Sequence, residues 1–437
     1  MESVSKLSLF PLTAEVSNRG HLVIGGCDSV ELAAEFGTPL YLFDEFTLRN
    51  KCGEFKAEFS RRYADSGVIY ACKAFINRAM ALILKEEGLG LDVVSAGELS
   101  VAQSVDFPLD RVYFHGNNKS VEEIGLALKW HIGRIVVDNF HELNMLGEMA
   151  RKQGYTPDIL LRLSPGVDPH THKFIATGAI DSKFGFPLPT WDEAVAQAML
   201  LPDLNVVGLH FHLGSLIFEV EPYQEAIELI LSFAAEVKQR YDFEFKELNI
   251  GGGFAIQYTL DCPAPPISVY ADAITSRVIS RCQELKLALP KLIVEPGRAV
   301  VGQAGVAIYK VGVVKDIPGV RCYVSVDGGM ADNIRPALYE SRYEAVVANK
   351  ASETVAREVT IAGKFCESGD ILVKDIKLPA VSAGDIIAIP DCGAYCLPLA
   401  SNYNVAVKPA IVLVKEGKAR LIRRRETFDD VIRCDLV

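Results

Sequence analysis

The sequence has no run of basic residues, and its net charge is −11 at pH 7, a balance that argues against sequence-independent nucleic-acid binding. It also lacks an unbroken apolar segment of the ~20 residues a membrane-spanning helix requires. The nearest candidate, KLIVEPGRAVVGQAGVAIYKVGVV, is interrupted by Glu295, Arg298 and Lys310. The first residues, MESVSKLSLFPLTAEV, have neither the basic start nor the sustained apolar core of a secretory signal. Ten cysteines are present without a single Cys-x-x-Cys pair, which suits a reducing compartment better than a disulfide framework. Two His-x-His pairs, His170/His172 and His210/His212, and the pair Cys392/Cys396 have no third and fourth ligand nearby, so no metal site is expected. A cytoplasmic protein with no membrane or nucleic-acid partner is the expectation.

What is present is a long, apolar chain. With 437 residues and 49% hydrophobic composition it can build two domains with substantial cores. Apolar, β-branched runs recur as GVIYA (67–71), GLDVVS (90–95), RVYFH (111–115), RIVVD (134–138), DILLRL (158–163), VVGLHFH (206–212), ELNI (247–250) and KLIVE (291–295). Between them lie segments of helical spacing, such as RAMALILKEEG, HELNMLGEMARKQG and EAIELILSFAAEVKQRY, and Ser120 with Glu123 spells a capping box before another. A further helical pattern, SVELAAEFG, precedes the first strand. Strand–helix alternation with nearly continuous apolar strands predicts a parallel sheet covered by helices. Eight such units over about 250 residues match a closed (β/α)8 TIM barrel, with an open doubly wound sheet as the alternative on pattern alone. The last 130 or so residues change to dense strands such as VGVVKDI, REVTIAG and AIVLVKEGKARLI, predicting a β-sandwich or β-barrel domain. The fold class is therefore α/β, with the barrel over 41–299 and a β-rich domain from 1–40 and 300–437.

A barrel places its chemistry at the C-terminal ends of its strands. Those ends carry Lys73, Ser95, His115, Asp138, Arg162, His212, Gly251-Gly252-Gly253 and Glu295. Lys73 follows an apolar strand, where an ammonium either snorkels to water or does chemistry. Three successive glycines make either a tight turn or a cradle of N–H groups for an anion; no Gly-Lys-Ser/Thr follows, so this is not a nucleotide-binding loop. Glu295, in Glu295-Pro-Gly-Arg298, is a strand-end carboxylate in need of a cationic or hydrogen-bonding partner. His212 is either a hydrogen-bonded core histidine or a flat ring against a ligand. Lysine, anion cradle, carboxylate and imidazole together describe a site for pyridoxal 5′-phosphate. A carboxylate at the pyridine nitrogen keeps that ring protonated and favours carbanion-forming reactions such as decarboxylation.

Collinear motifs across nearly the whole chain carry a resemblance: YACKA, DVVSAGEL, HGNNKS, HFHLGS, NIGGGF, EPGR, DGGMADNIRPALY, CESGD and GAYCLPLASNYN. The chain resembles the barrel-type (alanine racemase-like, fold type III) pyridoxal phosphate-dependent decarboxylases, and among them the diaminopimelate decarboxylases. The resemblance implies decarboxylation of meso-2,6-diaminopimelate to L-lysine and CO2, the last step of lysine biosynthesis. A related decarboxylase for another basic amino acid or a carboxylated polyamine is the alternative. It also implies that Lys73 binds the cofactor covalently, that His212 lies against its ring and that Glu295 faces its nitrogen. Ser215, Gly251, Gly252, Gly253, Gly297, Arg298 and Tyr395 would surround the phosphate. Arg298, Arg335, Tyr339, Glu367 and Tyr395 would hold the substrate's carboxylate and distal amine. Cys366 would return a proton to the product, supplied across a homodimer with shared active sites. On residue chemistry alone Cys366 could equally be a small buried hydrophobe, and Arg335 the partner of a surface acid. Four departures from the family pattern bear on the choice of substrate: Phe75, Leu216, Cys396-Leu-Pro-Leu399 and Val405-Ala-Val-Lys408.

Overall fold

Eight parallel strands close on themselves in the computed structural model, which describes residues 6–168 and 182–437. They are β1 (Ser66–Ala71), β2 (Gly90–Val93), β3 (Val112–Phe114), β4 (Arg134–Val137), β5 (Asp158–Ser164), β6 (Asn205–His210), β7 (Glu247–Asn249) and β8 (Lys291–Val294). Each pairs with the next, and β8 pairs with β1, which settles the closed barrel over the open sheet. The apolar runs are continuous because both faces are covered: Ile69, Tyr113, Val136, Leu160, Val207 and Ile293 form one buried cluster from six of the strands. A short added strand, Phe186–Pro187, pairs with β5.

The helices form where the apolar spacing places them. Asn77 caps Arg78–Glu86 by accepting from the Met80 N–H at 2.9 Å. Ser120 and Glu123 complete the expected capping box at the start of Val121–Lys129. These caps matter for the site because they fix where each chain segment leaves its strand. His170 and His172 lie outside the described residues.

The chain divides into two compact units: Cys52–Ala255 with Ala264–Gly297, and Met1–Lys51 with Ile256–Pro263 and Arg298–Val437. The second is built on a sheet in the order Ile371–Leu378, Arg357–Ala362, Arg321–Val326, Gly305–Ile317, Leu40–Asp44, Ala410–Lys415, Lys418–Arg423, with Ile386–Ile389 also paired to Gly305–Ile317. The units therefore differ from the 41–299 span expected of the barrel. Leu40–Asp44 is fully buried and pairs antiparallel with Gly305–Ile308 and parallel with Ala410–Val414, so it is a strand of the β unit. Residues 256–263 belong there too. Leu22, Leu42, Val306, Ile308, Ala388 and Val412 are among the residues of this unit's core.

Packing at the barrel wall sets a sharp contrast between two glycines. Gly208 sits opposite Glu247 in the β6–β7 pairing, and a Cβ there would come within 2.1 Å of the Glu247 carbonyl oxygen. Gly53 lies in the helix Glu45–Ser60, and a Cβ there would meet nothing within 4 Å. Gly208→Ala should lower stability by about 1–3 kcal/mol through strand displacement. Gly53→Ala should raise it by about 0.4–1 kcal/mol through the unfolded chain. Thermal unfolding of the two variants beside wild type checks the opposite signs.

Candidate active site

At the C-terminal end of the barrel, five polar groups converge from five different strands. Asp92 lies within β2 and is buried. His115 follows β3, His210 ends β6, Asn249 ends β7, and Glu295 follows β8. Glu295 is the hub. Its Oε1 accepts from Asn249 Nδ2 at 2.7 Å and lies 2.8 Å from His115 Nε2, while Oε2 lies 3.3 Å from His210 Nε2. Burial pushes the carboxyl up, but His115 and His210 override it and hold the group well below the usual carboxylate range. His210 is itself pushed down to about 3, chiefly by burial, so it is a neutral ring donating one N–H. The ligand-type atoms of His115, His210 and Glu295 fall within 4.8 Å of one another, and His115 Nε2 meets the carboxylate at ion-pair distance without hydrogen-bond alignment.

Lys73 stands on the single 3-10 turn Cys72–Ala74 that β1 runs into. Its Nζ is 3.8 Å from Asp92 Oδ2, and its side chain keeps 41% of its exposure. Asp92 Oδ1 is in turn 3.7 Å from His115 Nε2. Phe75, where the family pattern has asparagine, is buried, and its carbonyl accepts from the Tyr70 hydroxyl at 2.7 Å. The departure therefore puts a buried aromatic ring at the residue that follows the lysine turn.

His212 is held by the glycine triplet. Its Nδ1 accepts from the Gly252 N–H at 3.1 Å, so the proton of the neutral ring resides on Nε2. Burial, then the cations Lys73 and Arg162, push this imidazole well below its ordinary pKa. Gly251 has φ +70°, and a Cβ there would lie 2.6 Å from the Phe211 carbonyl and 2.7 Å from His212 Nδ1. Close approach of the imidazole is thus one reason for glycine. The expected convergence of three N–H groups on an anion is only partly met, because Gly251 N–H is spent on Asn249 Oδ1 and Gly252 N–H on His212.

Lys73, His115, His210, His212, Ser215 and Glu295 line one cavity of about 650 Å³. This cavity suits pyridoxal phosphate on the evidence of its donor set. A reactive amine is exposed into it, and a buried carboxylate is kept charged. Among the described residues, Glu295 Oε2 has only the long His210 contact, which leaves a lone pair for a ring N–H.

The β unit gathers the expected arginines. Arg335 is 2% exposed and opens the short helix Arg335–Tyr339. It does not pair with a surface acid; it donates to the Tyr258 hydroxyl at 2.9 Å and to the Tyr343 hydroxyl. Arg298 donates to the same Tyr258 oxygen at 2.6 Å and lies 4.6 Å from the centre of the Tyr395 ring. Gly297 closes the barrel unit just before it. Tyr339 is exposed, as are Cys366 and Glu367. Cys366 is therefore not the buried hydrophobe its type allows. Its loop is anchored by Asp370, which accepts from the Phe365 and Met330 N–H groups at 2.8 and 2.7 Å, and Glu367 accepts from the Tyr403 hydroxyl.

Sequence reasoning does not single out Asp92, His210, Asn249, Tyr258 and Tyr343 as site residues. Asp92 carries a signal, as the one charge inside the apolar run GLDVVS, and Asn249 as the residue before the glycines. The two tyrosines carry none, since a loop tyrosine is unremarkable.

Comparison with known proteins accords with this geometry. Residues 47–302 match the family model described as pyridoxal-dependent decarboxylase, pyridoxal binding domain. The diaminopimelate decarboxylase of Bacillus subtilis is 45% identical over 97% of each chain, and that of Synechocystis is 44% identical over 98% of this chain and 93% of its own. The crystal structure of diaminopimelate decarboxylase from M. jannaschii in complex with L-lysine superposes with a TM-score of 0.92 at 36% identity, covering 98% of both chains. The Helicobacter pylori enzyme with L-lysine gives 0.83 at 31% identity, over 93% of this chain and 98% of that one. Sequence, barrel and site together place this chain in the diaminopimelate decarboxylase family of pyridoxal-dependent decarboxylases.

Proposed function

We propose that this protein decarboxylates meso-2,6-diaminopimelate to L-lysine and CO2, the last step of lysine biosynthesis, as a cytoplasmic homodimer using pyridoxal 5′-phosphate. The observation that carries the chemistry is Glu295, kept charged by His115, His210 and Asn249 in the cavity that Lys73 lines. The names of relatives at 39–45% identity support the choice of substrate. When bound, the cofactor supplies a covalent attachment for the substrate amine and a ring that takes up the electron pair left by departing CO2.

The chain's own groups do the rest. Lys73, whose amine reaches into the cavity, would be the residue that holds the cofactor. Glu295 holds the proton on the ring nitrogen, which a neutral side chain would do poorly. His212, neutral and fixed by Gly252, offers a flat ring face. Ser215, Gly251 to Gly253, Gly297, Arg298 and Tyr395 hold the phosphate. Arg298, Arg335, Tyr339, Tyr395 and Glu367 take the substrate's carboxylate and distal amine. The C–C bond to one carboxylate breaks, CO2 leaves, and Cys366 of the partner subunit delivers a proton to the same carbon. Exposure of Tyr339, Cys366 and Glu367 in the single chain supports their use by a second subunit. The β-rich domain contributes to the site through these residues.

Purified protein with pyridoxal phosphate should release CO2 from diaminopimelate and form lysine, and Lys73→Ala should lower the rate by roughly 10³-fold or more. Release from ornithine, arginine or a carboxylated polyamine but not from diaminopimelate would move the substrate to the alternative. Glu295→Gln should cut kcat by roughly 10²–10³-fold while cofactor still binds, measured by single-turnover decarboxylation and cofactor absorbance. Mixing inactive Lys73→Ala and Cys366→Ala subunits should restore about one quarter of wild-type activity after random reassortment into dimers. No recovery after verified exchange would assign each site to one chain.

A further inference from the structure

One oxygen in the β unit has an unusual set of neighbours. The Tyr258 hydroxyl accepts from Arg298 at 2.6 Å and from Arg335 at 2.9 Å. A phenol oxygen has two lone pairs and one hydrogen. Two guanidinium N–H groups use both lone pairs, so the hydrogen must be directed away from both arginines. Among the described residues, no acceptor lies within hydrogen-bond reach of it.

The surroundings fix this arrangement. Arg335 is buried, and among the described residues no carboxylate lies within ion-pair distance of it; tyrosine oxygens and ring faces surround it instead. The Tyr343 hydroxyl, which also accepts from Arg335, has an outlet for its own hydrogen, since Cys396 Sγ lies 3.6 Å away. Cys396 stands at one of the positions where this sequence departs from its family's pattern. The Tyr258 and Tyr343 rings meet edge to face at 5.4 Å, which locks the first phenol in its plane. Tyr258 as a residue is half-buried, on a loop of the β unit.

We infer that the Tyr258 hydroxyl is a substrate-binding group: it donates the third hydrogen bond, beside Arg298 and Arg335, to a carboxylate of the substrate, and it sets the spacing of the two arginines. This rests on the roles proposed above for those arginines and adds a residue that none of the motifs singled out. A carboxylate has about four lone-pair sites, so one N–H from each arginine and one phenol O–H are within its capacity, and a diamine without carboxylates cannot use such a set of donors. The group acts on binding and leaves the bond-breaking step to the barrel residues.

The test uses holoenzyme. Tyr258→Phe should raise KM for diaminopimelate about ten- to a hundred-fold with a much smaller change in kcat, the loss expected for a hydrogen bond to a charged group. By calorimetry, pimelate, a dicarboxylate without amines, should bind the variant weaker by the same factor, whereas 1,5-diaminopentane should bind unchanged. Incorporation of 3-fluorotyrosine at 258, a stronger donor and weaker acceptor, should tighten pimelate binding; it keeps the phenol in place should Tyr258→Phe fail to fold. Unchanged KM, equal weakening of both probes, or looser pimelate binding by the fluorinated protein would each overturn the inference. A wild type that binds pimelate through Tyr258 but decarboxylates no diaminopimelate would sink the proposed substrate and leave the carboxylate receptor standing.

Discussion

A buried negative charge is the constraint around which the barrel end is organised. Taking a carboxylate out of water is costly unless donors surround it, and Glu295 is 4% exposed. Its donors come from β3, β6 and β7 and their ends, so the charge is tolerable only when the barrel is closed and its register correct. The histidines serve as donors without bringing charge of their own where burial keeps them neutral, as at His210. What results is a carboxylate that stays ionised with acceptor capacity to spare, the property a protonated ring nitrogen calls for. The same strand ends hold the lysine turn through Asp92 and the imidazole through the glycines.

The β unit solves the opposite problem, buried positive charge, with different materials. Arg335 has tyrosine hydroxyls and ring faces as its direct contacts, and among the described residues no carboxylate lies at ion-pair distance. Phenol oxygens satisfy the guanidinium donors, and ring faces attract the cation, but neither neutralises it. A cation compensated in that manner remains attractive to an anion, which a cation paired to aspartate would not be. The barrel end thus holds a buried anion at Glu295, and the β unit a buried cation at Arg335 whose direct contacts are tyrosines.

Much of this is legible in the sequence, for physical reasons that differ by element. The eight barrel strands read as continuous apolar runs because helices cover their outer faces, and every one forms where expected. The helix Glu45–Ser60 escapes pattern reading although Leu48, Cys52, Phe55 and Phe59 are buried at helical spacing, because lysines, arginines and glutamates dilute the stripe. Leu40–Asp44 looks like any apolar strand; its membership of the β unit depends on partners more than 260 residues away, which local pattern does not encode. Lys73, His212, Glu295 and the glycines are visible as polar residues or turn-formers at strand ends. Tyr258 and Tyr343 stay hidden because their importance lies in what they touch, and residue type alone does not reveal that.

That distant pairing has a consequence for the order of assembly as the chain leaves the ribosome. All eight barrel strands precede Gly297, so the barrel can close on residues already synthesised. Leu40–Asp44 emerges before any of them, yet one neighbour arrives with Gly305–Ile308 and the other only with Ala410–Val414. For most of translation this largely apolar segment is an unpaired edge on both sides, the kind of strand that recruits unintended partners. The nascent chain has an early-made, late-used piece, and shielding it is a demand that the finished structure no longer displays.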